Sequence, residues 1–458
     1  MIFRDLIAKL DDRGELLRVS KPVDLRFELP ALLAQAEARG KAVRFDNVAG
    51  ADFPAVGAAL TSARRWALGI GVPIDSFDAP NSLEQFMADA VAGPVPARAV
   101  QDGPVAARVI DGDAIDVGRL PAPLFFSGDS HRFISAGLGF TIDPDSGTQN
   151  VGFYRIAIVD ERTVSVSAGP TSDLRRIYNL HRERGSKLQL AVAVGMPPAL
   201  QIAAAADLPA GVPDVDVAGA LQRSPIDLVR CRTSDVLVPA EAEFVIELTV
   251  DLDTWIENTM GEFGDLYGTT SSPVASIDAI THRSDAQFHV IMAGMHREHN
   301  ELGRMLGYSF RTEILKRLRG DFPGVRDVCV DMTPQQTSMR AQVAVSVDKA
   351  ADDEPGKIIE SIFAMQIGRF PMGMLLQRVV VVDVDVDIRN QQDVDWAIAS
   401  RMNSADQLSV AESKTGRGAT MTRLGFDATA PLAQREVLRR PDIPGAEKYA
   451  LDDYIDGQ

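Results

Sequence analysis

NVGFYRIAIVDERTVSVSAGPTSD, residues 150–173, is the stretch whose reading decides the fold. Ile156-Ala-Ile-Val-Asp alternates as a strand does, Glu161-Arg162 turns, 164–167 alternates again, and Gly-Pro-Thr-Ser-Asp opens a helix. Paired strand ends and a helix start then present an amide (Asn150), a guanidinium (Arg155) and a carboxylate (Asp173) from rigid backbone, a suitable support for an anionic ligand or a metal. Pattern by itself gives a polar cluster and no named chemistry.

Working outward, the same alternation occupies 133–142 and 151–159, with Asp143-Pro144-Asp145-Ser146-Gly147 between them as turn residues. Further strands are read at 188–194, 227–231 and 244–250, with small-residue helices at 199–206 and 217–221 among them. That is the pattern of an antiparallel sheet or split barrel. Upstream, Phe3, Leu6, Ile7 and Leu10 fall at i, i+3, i+4, i+7 and predict a helix that ends near Asp11-Asp12-Arg13-Gly14. A helix over 29–38, stopped by Gly40, precedes a strand over 42–45, so the chain begins as an α/β unit. Pro94, Pro96 and Gln101-Asp102-Gly103-Pro104 read as a linker.

Downstream, a helix over 298–318 carries Leu302, Met305, Leu306, Phe310, Ile314 and Leu318 on one face. A strand over 340–347, a helix over 357–364 and an apolar strand over 379–384 make a last α/β region. Its Asp383, Asp385 and Asp387 lack the glycine and closing glutamate of a calcium loop, and read as a strand end entering a solvated loop. The tail from Ala430, rich in proline and charge, reads as an arm onto another subunit.

The 458 residues favour two or three domains, and a net charge of -17 lacks the clustered cations that nucleic acid requires. Cys231 and Cys329 show no metal or disulfide spacing and read as buried small residues in a reducing cytoplasm. No apolar run is long enough to span a bilayer, and the N-terminus has no signal-peptide pattern.

Taken together, Asp143-Pro144, Gly147, Asn150 and Arg155, Val-Pro-Ala-Glu-Ala-Glu at 238–243, Gly-Glu-Phe-Gly-Asp-Leu-Tyr-Gly at 261–268, and Val382-Asp383 with Trp396-Ala397 and Arg401 resemble the UbiD family. These motifs are ordered and cover nearly the full length. The family comprises reversible decarboxylases that use prenylated FMN. The resemblance implies an α/β (α+β) fold: a split β-barrel flavin-binding domain flanked by an N-terminal α/β region and a C-terminal α/β dimerisation domain. The expected boundaries are 1–110, 111–325 with the linking helix, and 326–458. It further implies a homodimer or higher homo-oligomer in the cytoplasm, supplied by a prenyl-flavin synthase.

Loss of CO₂ from an sp² carbon leaves an electron pair with nowhere to delocalise, so a cofactor must take it. In the family the flavin does so through a covalent bond to the substrate, its phosphate held by Asn, His and Glu on a divalent metal, usually Mn²⁺, beside K⁺. Here those positions fall on Asn150, Asp173 and Asp214, an all-oxygen set suited to Mn²⁺ or Mg²⁺. Asp173 is equally placed to cap the helix that follows it. Arg155, preceded by Tyr154, matches the family's active-site arginine beside the flavin, and Asp265 matches the acid that protonates the substrate carbon. The partner acid of the family's network is replaced by Met260, with Glu262 or Glu257 as the residues nearest to supply its charge. Met260 otherwise suits an apolar pocket wall.

His296 and Arg304, about two helical turns apart, resemble the clamp that holds the second carboxylate of furan-2,5-dicarboxylate in one branch of the family. An exposed, charge-laced helix start is the commoner use of such residues. The implied activity is decarboxylation of an aromatic or heteroaromatic acid. The alternative is a UbiD-like subunit that binds flavin weakly, or not at all, within a larger carboxylase complex.

Overall fold

The computed structural model describes residues 1–77, 82–170, 172–206, 208–209, 211–261, 267–294, 296–332, 340–367, 370–371, 375–414 and 420–441, with Gly445 and Lys448. Two compact units form, one from Met1–Thr312 with Val330–Ala341, the other from Glu313–Cys329 with Gln342–Gln458.

In the first unit the helix Phe3–Asp12 buries Phe3, Leu6, Ile7 and Leu10, the four positions its period selects. Leu16–Val19 and Ala42–Phe45 pair in parallel across the crossover helix Glu28–Ala38, and Ala55–Gly57 adds antiparallel. Phe288–Val290, from the far end of the unit, closes this four-stranded sheet by pairing parallel to Ala55–Gly57.

The second sheet has nine strands, all antiparallel, and holds the stretch that opened the sequence reading. Its order runs Arg132–Ile134, Ile156–Ile158, Thr163–Val166, Tyr267–His282, Phe244–Gly261, Leu188–Val194, Leu138–Ile142, Gln149–Phe153, and Arg108–Asp111 also pairs with Tyr267–His282. The strand expected to stop at Val250 runs on to Gly261. Val-Asp-Leu-Asp-Thr looks like a terminator, but the Asp251 carboxylate accepts from the Asp253 and Thr254 amides and turns the segment into an irregularity. Pairing resumes at Trp255 and continues to Gly261 opposite Tyr267.

The region read as a linker is partly built in. Arg98–Val100 pairs parallel to Asp227–Arg230, which pairs antiparallel to Leu237–Pro239. Cys231 is buried, and burial beside Glu247 pushes its thiol up; Cys329 is half-buried rather than buried.

In the second unit a sheet is ordered Val325–Asp331, Ala341–Val347, Leu376–Asp383, Thr420–Ala428, Leu408–Lys414, and helices Glu354–Ala364 and Gln391–Arg401 pack on its strands. Of the aspartates expected in a solvated loop, Asp387 is exposed there, while Asp383 and Asp385 form an ion-pair cage. Fully buried Arg401 donates to Asp383 at 2.8 Å and to Asp385 at 2.8 and 2.6 Å, while Asp383, itself buried, accepts from the Ala430 amide. The first residues of the tail thus bind within their own unit. Among the described residues no helix is long and apolar enough to cross a membrane.

Candidate active site

Three neighbouring strands of the nine-stranded sheet, Thr163–Val166, Tyr267–His282 and Phe244–Gly261, define the site through their two-residue period. Asn258 and Met260 share one face, with Asn258 opposite Thr270 and Met260 opposite Gly268. Arg155 lies between Gln149–Phe153 and Ile156–Ile158, and its backbone carbonyl accepts from the Ser167 amide. Arg155, Ser167, Asn258, Met260, Thr270 and Ser272 converge with Phe133 on one small cavity, with about 10 Å³ of room, enough for one water.

Arg155 is the only charged residue among the described lining residues, and one of its Nη atoms donates to Ser167 Oγ at 3.1 Å. Asn258 Nδ2 donates to Ser165 Oγ at 2.6 Å. The Oδ1 of Asn258 and the Oγ of Ser272 are buried without a hydrogen-bond partner among the described residues. Buried polar atoms of this kind cost free energy until something supplies a partner, which suits a site that a polar ligand or water completes.

Met260 is 2% exposed and contributes an apolar surface beside the guanidinium. Glu257, an odd number of residues from Asn258 and Met260, points to the opposite face of the strand and is exposed. Glu262 and Asp265 lie outside the described residues.

Of the three expected metal ligands, Asn150 lies on Gln149–Phe153 and its Nδ2 donates to the Tyr154 hydroxyl at 2.9 Å, which turns the amide oxygen into the end left for a cation. The Tyr154 side chain lies so close over Gly139 and Gly152 that a Cβ there would meet its ring at 2.6 Å and its hydroxyl at 3.0 Å. Asp173 is not the helix cap. Ser172 is, accepting from the Arg175 amide at 3.2 Å, and Asp173 is the first residue of the helix Asp173–Arg184. Arg176, one turn on, sits 3.8 Å from Asp173 and also pairs with Asp143, at the turn that leads into the strand of Asn150. Asp214 is the first residue of the helix Asp214–Gln222. No group of three His, Cys, Asp or Glu side chains among the described residues is placed to hold a metal; one amide with two carboxylates is a different kind of set, and its oxygens suit a hard cation.

His296 and Arg304 are each engaged by their own carboxylate. His296 Nδ1 is 2.9 Å from buried Glu37, which also accepts from the Arg297 amide at the start of the helix Arg297–Asp321. Arg304 is half exposed, 3.5 Å from Glu301, whose carboxyl burial pushes up from its ordinary range while Arg304 opposes. His289 is fully buried with Nε2 3.0 Å from Glu298.

Sequence reasoning did not single out Ser165, Ser167, Asn258 or Ser272. The i, i+2 relation of Asn258 to Met260 was the available signal, once the strand is known to continue past Val250.

Three family models match the chain: the N-terminal domain of 3-octaprenyl-4-hydroxybenzoate carboxy-lyase over 7–82, its Rift-related domain over 98–296 and its C-terminal domain over 304–428. The chain belongs to the UbiD family, a family of carboxy-lyases. The UbiD-class enzyme HmfF from Pelotomaculum thermopropionicum, solved with FMN, is 30% identical, with a TM-score of 0.85 over 99% of this chain and 100% of that one. Anhydromevalonate phosphate decarboxylase of Methanothermobacter thermautotrophicus is 27% identical over 95% of this chain and 99% of its own. The vanillic acid decarboxylase of Sedimentibacter hydroxybenzoicus, at 23% identity and a TM-score of 0.83 over 99% of this chain and 98% of that one, shares the fold.

Proposed function

We propose that the protein is a reversible, non-oxidative decarboxylase of an aromatic or heteroaromatic acid that uses prenylated FMN at the Arg155 cavity. The observation that carries this reading is a guanidinium set in one cavity with an apolar wall and with buried oxygens that have no hydrogen-bond partner among the described residues, in a UbiD-family chain. When bound, prenylated FMN supplies the electron sink by bonding to the substrate carbon. Arg155 holds the leaving carboxylate by charge and hydrogen bond, with Ser167 fixing one of its donors. Met260 excludes water from that side of the carboxylate and strengthens the charge interaction. Asp265 delivers the proton to carbon, with Glu262 the acid next to it in the motif, and Asn150, Asp173 and Asp214 hold a divalent cation, Mn²⁺ or Mg²⁺, beside K⁺.

The chain is proposed to divide into 1–110, 111–325 and 326–458 and to form a homodimer or larger homo-oligomer; an evolved form of HmfF is described as dimeric with prFMN. His296 and Arg304 are proposed to face the distal part of the substrate.

Co-expression with a prenyl-flavin synthase followed by anaerobic purification tests the reading. The purified protein is expected to carry a shifted flavin absorbance and to release CO₂ from at least one member of a panel of aryl and heteroaryl acids. A phosphorylated acid belongs in that panel, given the name of one relative. Protein without bound flavin and without turnover would favour the carboxylase-subunit reading, to which Met260 in place of an acid gives its support.

A further inference from the structure

We infer that Asp129 is a positioning residue for the Arg155 cavity: its carboxylate ties the wall that carries Phe133 to the wall that carries Met260. The functional part of this inference rests on the proposed reaction site.

Asp129 lies in the turn that precedes the strand Arg132–Ile134 and is 8% exposed. Its Oδ1 accepts from the Gly261 amide at 2.8 Å and its Oδ2 from the Phe126 amide at 3.0 Å. Next to it, the Ser130 amide donates to the Thr259 carbonyl at 2.9 Å and Ser130 Oγ accepts from the Thr259 amide at 3.0 Å. Opposite, the Gly128 amide donates to the Tyr267 hydroxyl at 3.0 Å. Residues 126–130 therefore grip both strands of the long hairpin at their facing ends, since Gly261 pairs with Tyr267.

The packing is as close as the hydrogen bonding. A Cβ on Gly261 would meet the Phe126 ring at 2.7 Å, and one on Gly128 would meet the Tyr267 ring at 2.6 Å. Met260 sits between two gripped residues, Thr259 and Gly261, so the backbone that aims its side chain at the cavity wall is held on both sides. Two residues after His131 the same segment delivers Phe133 to the cavity, with the Phe133 amide donating to the Pro123 carbonyl.

A carboxylate is the side chain this junction needs. Both oxygens accept, whereas an amide accepts with one and turns N–H groups toward a backbone N–H with the other. Burial pushes the Asp129 carboxyl up from its ordinary range while the Gly261 and Phe126 amides pull it down, so the clasp is strongest in the ionised form.

Hydrogen exchange on the full chain, read by mass spectrometry, tests this with Asp129→Asn. Amides of 259–261 are expected to exchange at least about tenfold faster, while the reference strand Leu188–Val194 is unchanged. In flavin-loaded protein kcat is expected to fall about tenfold or more, with KM within about twofold. Unchanged exchange at 259–261, equal acceleration across the chain, or faster exchange with kcat untouched would each overturn the inference. Phe126→Leu keeps the carboxylate and loosens the grip on Gly261, so it carries the same expected pattern should Asp129→Asn not fold. If the wild-type protein turns over no acid at all, the proposed function fails, and the exchange measurement still decides whether the clasp exists.

Discussion

Arg155 gives one donor to Ser167 and lines a cavity where no other lining residue among those described is charged. Such a donor, fixed before the substrate arrives, is worth most where charge moves in the reaction. Arg155→Gln is therefore expected to lower kcat about 100-fold or more, with thermal stability changed little, as steady-state kinetics and a melting curve on loaded protein would show. Glu257→Gln is expected to leave kcat within about twofold, because the pleat turns that carboxylate away; a loss like that of Arg155→Gln would mean that Glu257 supplies the missing charge after all. Arg155 and Met260 were legible in the sequence because motif order marks them. Asn258 and Ser272 were not, since their meaning comes from the register between two strands, and register is a tertiary property.

Helices were read well where a single face is buried, as in Phe3–Asp12, because the period of 3.6 is written into the apolar positions. The long hairpin was read short, since Asp251 and Asp253 satisfy local amides in a way that sequence cannot separate from a turn. At the start of Asp173–Arg184 two adjacent residues compete for the cap, and the structure gives the role to Ser172. Ser172→Ala is expected to cost about 1 kcal/mol in urea unfolding, the usual value of a lost N-cap. Loss of the cap hydroxyl without any change in stability would return the cap to Asp173 and weaken its standing as a metal ligand.

Each of the two units has its own charge economy, and that of the second gives an acid test. Burial works to raise the Asp385 carboxyl, but hydrogen bonds from Arg401 and the Arg440 amide and the Arg401 charge outweigh it, so the group lies below the usual carboxylate range. The unfolded chain binds the proton first, so this contribution is complete above about pH 5 and is lost as pH falls through the folded value. Urea midpoints should fall as pH drops from about 5 to about 3, and Asp385→Asn should flatten that fall; an unaltered slope would show that the cage does not govern acid stability.

The overall α/β architecture was accessible from periodicity, while the cage was not, because Asp383 and Asp385 suit a solvated loop until Arg401 is seen beneath them. An experimental structure of the protein loaded by co-expression with a prenyl-flavin synthase is the most direct measurement of the whole account. The isoalloxazine is expected within hydrogen-bond distance of Arg155, with Met260 on the same wall. Flavin bound elsewhere, with the Arg155 cavity unchanged, would contradict it.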